Sequence, residues 1–483
     1  MSQPTRPNIL LIIADDFGYG DLGRFNPAVR TPNLDHLATQ GSLLRQHYTA
    51  SPICAPARAG LLTGRYPHRT GAITQHEIHG LDRIALGERT LADSFKSAGY
   101  ATGLVGKWHN GTFDPRFEPN ARGFDEFIGF CGGWSDYYKY TLRFNQSYVA
   151  STGNYLTDEL TDHALAFIIR HQEHPFFLQL AYSAPHSPFQ APQPVVDKYR
   201  AQGFNRVVAT TYAMIEIMDR GIGNVLQSLQ DLELDENTIV LFTSDNGPAF
   251  FNPPYMLEPG ESTLNERFNG DLKGAKGYVE EGGIRVPMIV RFPGRIAAAS
   301  TVDDLVHFTD WYPTLLKLAG VDPVSGLALD GLDVSPMLLG EPAVEAPRRF
   351  WQWNFYKPHL GTNAAMRDGQ WKLLRPTISG TRFFNKDLYA TAEDEALMRA
   401  FVAADIKHKE DPEHPRELIP VPKIRFPKPE PLQLYDLEKD PGEKNDMAAQ
   451  EPARVARMLR ELETWFEDVE ASRLKAVETH QFT

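Results

Sequence analysis

Two short acidic groups stand directly after two apolar runs, and that placement makes them candidates for a metal site. Asp15 and Asp16 follow Asn8–Ala14 (NILLIIA), while Asp245 and Asn246 follow Thr238–Thr243 (TIVLFT) and Ser244. Each run is continuous and non-alternating, as expected of a strand covered on both faces. Ligands of open α/β sheets bind in the crevice beyond the carboxyl ends of strands, so the two pairs can converge although 230 positions (245 minus 15) separate them. Three crowded carboxylates repel one another unless a cation joins them. Oxygen ligands favour a hard divalent ion over zinc, with calcium preferred and magnesium or manganese left open. Taken singly, Asp15 and Asp245 read more readily as turn or helix-cap residues.

The segment Ser51–Arg65 (SPICAPARAGLLTGR) places Cys54 just before a predicted helix containing Ala59–Leu62. If that helix begins near Pro56, Arg58 lies one turn beyond Cys54 and both can face one site. A helix N-terminus also attracts anions. By itself a lone cysteine is as readily a buried structural thiol.

The elements that must position these groups alternate between strand and helix. Ala101–Val105, Pro175–Tyr182 and Val286–Phe292 read as further buried strands, and Thr90–Ala98, Val207–Leu232 and Trp311–Ala319 have helical spacing. This is an α/β pattern, and no repeat of about 20 to 50 residues suggests a solenoid or propeller. A large domain over residues 1–347 is expected, followed by a smaller α+β subdomain over 348–483. In the latter, Ala365–Arg375 reads as a hairpin turning at Asp368-Gly369, with Leu434–Leu437 as a partner strand and Pro452–Phe466 as an amphipathic helix. Asp411–Pro431, rich in prolines and charges, reads as an extended arm within a 376–431 segment to which no role is assigned.

The 483 residues carry 49 Lys and Arg against 62 Asp and Glu, a net charge of -13 that opposes binding to nucleic acid or anionic membranes. Cys54 and Cys131 are too few for a disulfide framework or cysteine metal cluster. The apolar run Ile9–Ala14 is too short for a signal peptide or membrane span, so a cytoplasmic location is expected.

Cys54-Ala55-Pro56-Ala57-Arg58, followed by Leu62-Thr63-Gly64-Arg65, resembles the signature of type I sulfatases, whose cysteine is oxidised to formylglycine by a separate generating enzyme. The resemblance continues through Gly106-Lys107-Trp108-His109, Ala184-Pro185-His186, Ser244-Asp245-Asn246-Gly247 and Lys276 ahead of Glu281-Gly282-Gly283. It extends to Leu434-Tyr435-Asp436-Leu437-Glu438-Lys439-Asp440-Pro441-Gly442-Glu443. Taken one by one, Lys107, His109, His186 and Lys276 would be ordinary surface residues; their ordered match makes chance an inadequate account. The resemblance implies an alkaline phosphatase-like fold with a mixed, mostly parallel central sheet flanked by helices. It also implies one divalent ion held by Asp15, Asp16, Asp245, Asn246 and modified Cys54.

The chemistry implied by the resemblance is hydrolysis of a sulfate monoester through a covalent formylglycine sulfate. Arg58, Lys107 and Lys276 would neutralise the sulfate oxygens, His109 and Arg58 would hold the hydrated aldehyde, and Asp245 would accept the attacking hydroxyl's proton. His186, with Lys276, would serve the departing alcohol. The alcohol half is less legible. Trp134, Tyr137, Tyr138, Tyr140, Trp351, Trp353, Tyr356 and His359 could line a sugar or aryl pocket or simply pack the core. Small sulfated substrates, sugars among them, are the expected partners, and the oligomeric state is open. A phosphonate monoester or phosphodiester hydrolase and a noncatalytic binder of sulfated glycans are the alternatives; a redox pair of Cys54 and Cys131 lacks a CxxC arrangement.

Overall fold

Asn8–Ala14 forms a central strand of the main sheet because both of its faces can be buried. Leu10, Ile12 and Ala14 join one core with the long helix Arg206–Asp231, while Ile9, Leu11 and Ile13 join a second core with Cys54–Thr63 and Trp311–Ala319. The period-two side-chain alternation thus divides one uninterrupted apolar run between two helical layers. Full burial of each such Leu or Ile contributes about 1.5–3 kcal/mol.

The computed structural model describes residues 6–250, 256, 267–324, 326–342, 347–377, 389–411, 413–426 and 428–478. Its ten-stranded sheet runs, from one edge, Ser300–Val302, Ser42–Leu44, Met288–Arg291, Thr238–Ser244 and Asn8–Ala14. It continues with Phe176–Ala181, Ala101–Lys107, Glu126–Phe130, Thr141–Phe144 and Ser147–Ala150. The five strands from Thr238–Ser244 to Glu126–Phe130 are mutually parallel, and Met288–Arg291 turns antiparallel against Thr238–Ser244. Register pairs Ala14 with Ser244, so the acidic pairs beyond them leave adjacent strands at the same level.

A separate antiparallel sheet contains Arg349–Gln352, Ala364–Asp368, Trp371–Arg375 and Gln433–Asp436, in that order. Asp368 pairs with Trp371, so the hairpin turns at Gly369-Gln370, one residue later than expected; Gly369 takes the left-handed φ of 57° that this turn needs. The terminal helix runs Pro452–Glu478, well past the expected Phe466, with Met458, Leu462, Trp465 and Val469 buried against the sheet. A second difference is the helix Ala392–Glu410, which falls within the segment that has no assigned role in the sequence. Its low amphipathic contrast and surrounding prolines hide it, although Thr391 caps it by accepting the Asp394 N–H. Within the expected extended arm, residues 412 and 427 lie outside the described residues, as do 378–388 earlier in the unassigned segment. No helix among the described residues is long and apolar enough to cross a membrane.

One buried cation joins the two sheets' loops. Lys372 Nζ, fully buried, sits 3.0 Å from Glu281 and 2.9 Å from Glu443. Lys372→Met removes the charge but keeps the volume, leaving two buried carboxylates short of a partner. We expect a loss of about 3–5 kcal/mol in unfolding free energy, read from the denaturant midpoint. A loss below about 1 kcal/mol would mean that Glu443, whose carboxyl burial already pushes up to about 7, absorbs the change by staying protonated.

Candidate active site

The site is assembled at the carboxyl ends of the parallel strands. Asp15 and Asp16 follow Asn8–Ala14, Asp245 and Asn246 follow Thr238–Ser244, Lys107 closes Ala101–Lys107, and His186 follows Phe176–Ala181 across Ala184-Pro185. Asp16 and His109 both adopt left-handed backbone, φ 64° and 55°. For non-glycine residues that costs roughly 1–2 kcal/mol, a strain characteristic of functional turns.

Cys54 is the first residue of the helix Cys54–Thr63, two positions earlier than the expected start near Pro56. Pro56 fits in the first turn, where its missing N–H has no helical acceptor anyway. Arg58 therefore lies one turn beyond Cys54, and its Nε donates to Asp245 Oδ2 at 2.8 Å while Nη1 donates to the Lys107 carbonyl at 3.3 Å. The remaining nitrogen, Nη2, is buried with no hydrogen-bond partner. A buried donor with no protein acceptor is a suitable match for an anionic oxygen.

Lys107 Nζ donates to Asp15 Oδ2, and Lys276 Nζ lies 2.7 Å from Asp16 Oδ1. His186 Nε2 stands 3.7 Å from Asp16 Oδ2, its other ring nitrogen being 2.6 Å from the Ser187 carbonyl. Asn246 Nδ2 donates to Asp16 Oδ1 at 2.7 Å. The fold thus gathers Asp15, Asp16, Arg58, Lys107, His186, Asp245, Asn246 and Lys276 around Cys54. His109 joins them from the loop after Lys107, within 3.3 Å of the Gln75 carbonyl.

The carboxylates fit a divalent ion. Ligand atoms of Asp15, Cys54 and Asp245 lie within 4.8 Å of one another, as do those of Asp15, Asp16 and His186. Asp15 Oδ1 and Asn246 Oδ1 are buried without a hydrogen-bond partner. Burial and the neighbouring Asp245 push the Asp15 carboxyl up to about 7, the response of crowded carboxylates to an uncompensated charge. Burial also acts on Asp16, but the Lys276 ammonium, with hydrogen bonds from Lys276 and Asn246, outweighs it and holds that carboxyl well below its usual range.

Burial raises the Cys54 thiol, so the unmodified side chain is a poor thiolate nucleophile here. Burial and then Lys276 depress the His186 imidazole to about 3, whereas Lys276, opposed by burial but held by Asp16, keeps its proton to higher pH than usual. His109 is likewise kept neutral by burial, with Lys107 adding repulsion. The site holds two neutral imidazoles beside the buried Arg58 and Lys107 and the part-buried Lys276.

The sulfatase family profile matches residues 7–321, well over half of the chain. The chain belongs to the sulfatase family. It is a sulfuric ester hydrolase of alkaline phosphatase-like fold, and the profile of the N-sulphoglucosamine sulphohydrolase C-terminal region matches residues 275–410. Among related sulfatases, N-acetylgalactosamine-6-sulfatase of Canis lupus familiaris is 37% identical over 74% of this chain and 72% of its own. Arylsulfatase J of Mus musculus is 30% identical over 95% of this chain and 75% of its own. The crystal structure of Ps i-CgsB has a TM-score of 0.77 at 30% identity, covering 95% of this chain and 93% of that one. A further crystal structure of that protein contains k-i-k-neocarrahexaose.

Around this sulfatase site, sequence reading misses Gln75, His76, Glu77 and the Ala392–Glu410 helix, all of which reach a cavity of about 310 Å3 beside Cys54. Glu77 stands 3.6 Å from His109 and pairs with Lys409. Of the aromatic candidates, Trp134 alone lines that cavity. Tyr137 is buried and donates to the His186 carbonyl at 2.9 Å, Tyr138 and Tyr140 pack with the main core, and Trp351 donates to the Thr49 carbonyl. Trp353 and Tyr356 pack in a small cluster with Cys54, and His359 stacks on Phe426. Cys54 and Cys131 are both free thiols, and burial pushes Cys131 up to about 12.

Proposed function

We propose that Cys54 is converted to formylglycine and that the hydrated side chain attacks the sulfur of a sulfated sugar. The observation that carries this reading is the buried convergence of Cys54, Arg58, Lys107 and Lys276 on the carboxylate cluster. Sulfate presents several anionic oxygens on one atom, and two buried cations with a third at the cavity wall answer that charge.

A divalent ion bound by Asp15, Asp16, Asp245, Asn246 and residue 54 would lower the nucleophile's pKa and neutralise sulfate charge; calcium is the ion we favour for this oxygen-rich set. Asp245 takes the proton of the attacking hydroxyl, a role for which its bond to Arg58 fixes its carboxylate. Sulfur then exchanges its bond to the substrate alcohol for one to residue 54. A second hydroxyl on the same carbon gives its proton to the neutral His109 imidazole, the aldehyde C=O reforms as the carbon–oxygen bond to sulfate breaks, and water then adds to the aldehyde to restore the hydrate. A serine in this place would instead require a second attack at sulfur.

His186 and Lys276 both stand against Asp16 and line the cavity beside Cys54, which places the two of them where the departing alcohol would take up a proton. Lys276→Ala and His186→Ala should each slow alkyl sulfates at least about 10-fold more than aryl sulfates with good leaving groups. Equal losses across a leaving-group series would remove both from proton delivery.

A sulfated carbohydrate is supported as substrate by relatives named for a sulfated amino sugar and by the structural neighbour seen with an oligosaccharide. Sulfate release from sulfated monosaccharides, compared with phosphate release from matched phosphate esters, tests the assignment. Faster phosphate turnover would favour a phosphoester hydrolase, and retention of ligand without turnover a binding protein.

A further inference from the structure

The helix Ala392–Glu410 forms one wall of the cavity beside Cys54, contributing Met398, Phe401, Val402 and Asp405. Trp134 lines the same space from the loop after Glu126–Phe130. At about 310 Å3 the cavity lies at the small end of the usual range for ligand pockets, which suits one ring.

This wall is tied directly to the reaction centre. Trp134 Nε1 donates to Asp405 Oδ2 at 3.0 Å, and Lys409, one turn further along the helix, pairs with Glu77 and lies 3.6 Å from Asp405. Glu77 in turn faces His109 and accepts the Gly133 N–H. The loop has least room to give at Gly133, where a Cβ would come within 2.5 Å of the His109 ring, whereas one on Gly132 would meet the flexible end of Lys409.

The cavity has two chemical halves. Ile53, Met398, Phe401 and Val402 offer an apolar surface, whereas Trp134 and Asp405 offer an aromatic plane beside a carboxylate that keeps 20% of its side chain exposed. A carboxylate has about four acceptor sites, so the Trp134 and Lys409 contacts leave room for hydroxyl donors. A pyranose ring has matching halves, a C–H face and a rim of hydroxyls. Asp405, the more exposed carboxylate, also makes a second anionic group beside it unfavourable, whereas Glu77 is buried and paired with Lys409.

Building on the sulfatase reading, we propose that Trp134 and Asp405 are specificity-determining residues that hold one neutral hexopyranose ring. The indole supports the ring's C–H face, and Asp405 accepts its hydroxyls and discriminates against a second sulfate. The test uses matured protein, wild type and the isosteric Asp405→Asn, with Trp134→Phe and Trp134→Ala as a second series. Substrates are galactose 6-sulfate, N-acetylgalactosamine 6-sulfate, glucosamine 2-N,6-O-disulfate and the hydroxyl-free ring of 4-nitrophenyl sulfate. The ratio of kcat/KM for the neutral sugars to that for the aryl sulfate should fall about 30-fold in Asp405→Asn, mainly through KM, and further in Trp134→Ala than in Trp134→Phe. Wild type should prefer the monosulfated sugars to the disulfated one.

An unchanged ratio would show that Asp405 only braces the helix, and preference for the disulfated sugar would remove the discrimination; either overturns the proposal. Aryl turnover without sugar turnover overturns it while leaving the sulfatase reading intact. Failure on every ester, with residue 54 verified as modified, overturns both.

Discussion

Cys54→Ala will reduce sulfate-ester turnover by about 10,000-fold or more, because it removes the atom on which the covalent step depends. Cys54 is 2% exposed and packs with Ile53 and Trp353 at the start of its helix, so alanine deletes one sulfur atom without adding bulk or a polar group. The expected stability loss is about 1–2 kcal/mol, too little to account for the catalytic one. Mass spectrometry of the peptide spanning Cys54 should show a loss of about 18 Da in protein made with a formylglycine-generating enzyme, the change from thiol to aldehyde. Its absence in turnover-competent protein would refute the proposed nucleophile. So would full activity in Cys54→Ala.

Asp245→Asn should lower turnover about 1,000-fold and abolish stabilisation by the divalent ion. In wild type, calcium at about 100 times its dissociation constant should add about 2.7 kcal/mol of stability, seen as a rise in Tm that chelation reverses. Asp245 faces Asp15 across the candidate ion position and bonds to Arg58, whose side chain is 1% exposed. The substitution therefore also weakens the pairing of a buried guanidinium, lowering Tm in the absence of any ion. The ion-induced shift, rather than absolute Tm, is the decisive readout. A shift of wild-type size in Asp245→Asn would place the ion elsewhere, and comparison of calcium with magnesium and manganese would test the preferred ion.

Much of this site is legible in the sequence because its residues are tied to strand ends. Continuous runs such as NILLIIA and TIVLFT announce strands buried on both faces, and the polar residues immediately after them must emerge at the sheet's carboxyl edge. That logic places Asp15, Asp16, Asp245 and Asn246, and the motif spacing adds Cys54, Arg58, Lys107, His109, His186 and Lys276. It does not reach Glu77 or Asp405. Their roles arise from tertiary pairing with His109, Lys409 and Trp134, which have no fixed spacing from them. The Ala392–Glu410 helix is hidden for another reason. It buries a narrow set of residues, Met398, Phe401 and Ala404 among them, and is flanked by segments whose composition reads as loop. The aromatic clusters illustrate the reverse error, since side-chain type alone cannot separate Trp134 in a cavity from Tyr137 in a core.

The pairing of Asn8–Ala14 with Thr238–Ser244 also sets a clock for biosynthesis. Cys54 is added to the chain 191 residues (245 minus 54) before Asp245. At about 5–20 residues per second, the helix-initiating cysteine spends roughly 10–40 s on a nascent chain that cannot yet build the strand beside Asn8–Ala14. During that interval the Cys54–Arg58 segment lacks the neighbours that later enclose it. On the proposed conversion of Cys54, a generating enzyme that reads the segment as an extended peptide would have its opportunity then, before completion of the sheet closes access to the thiol.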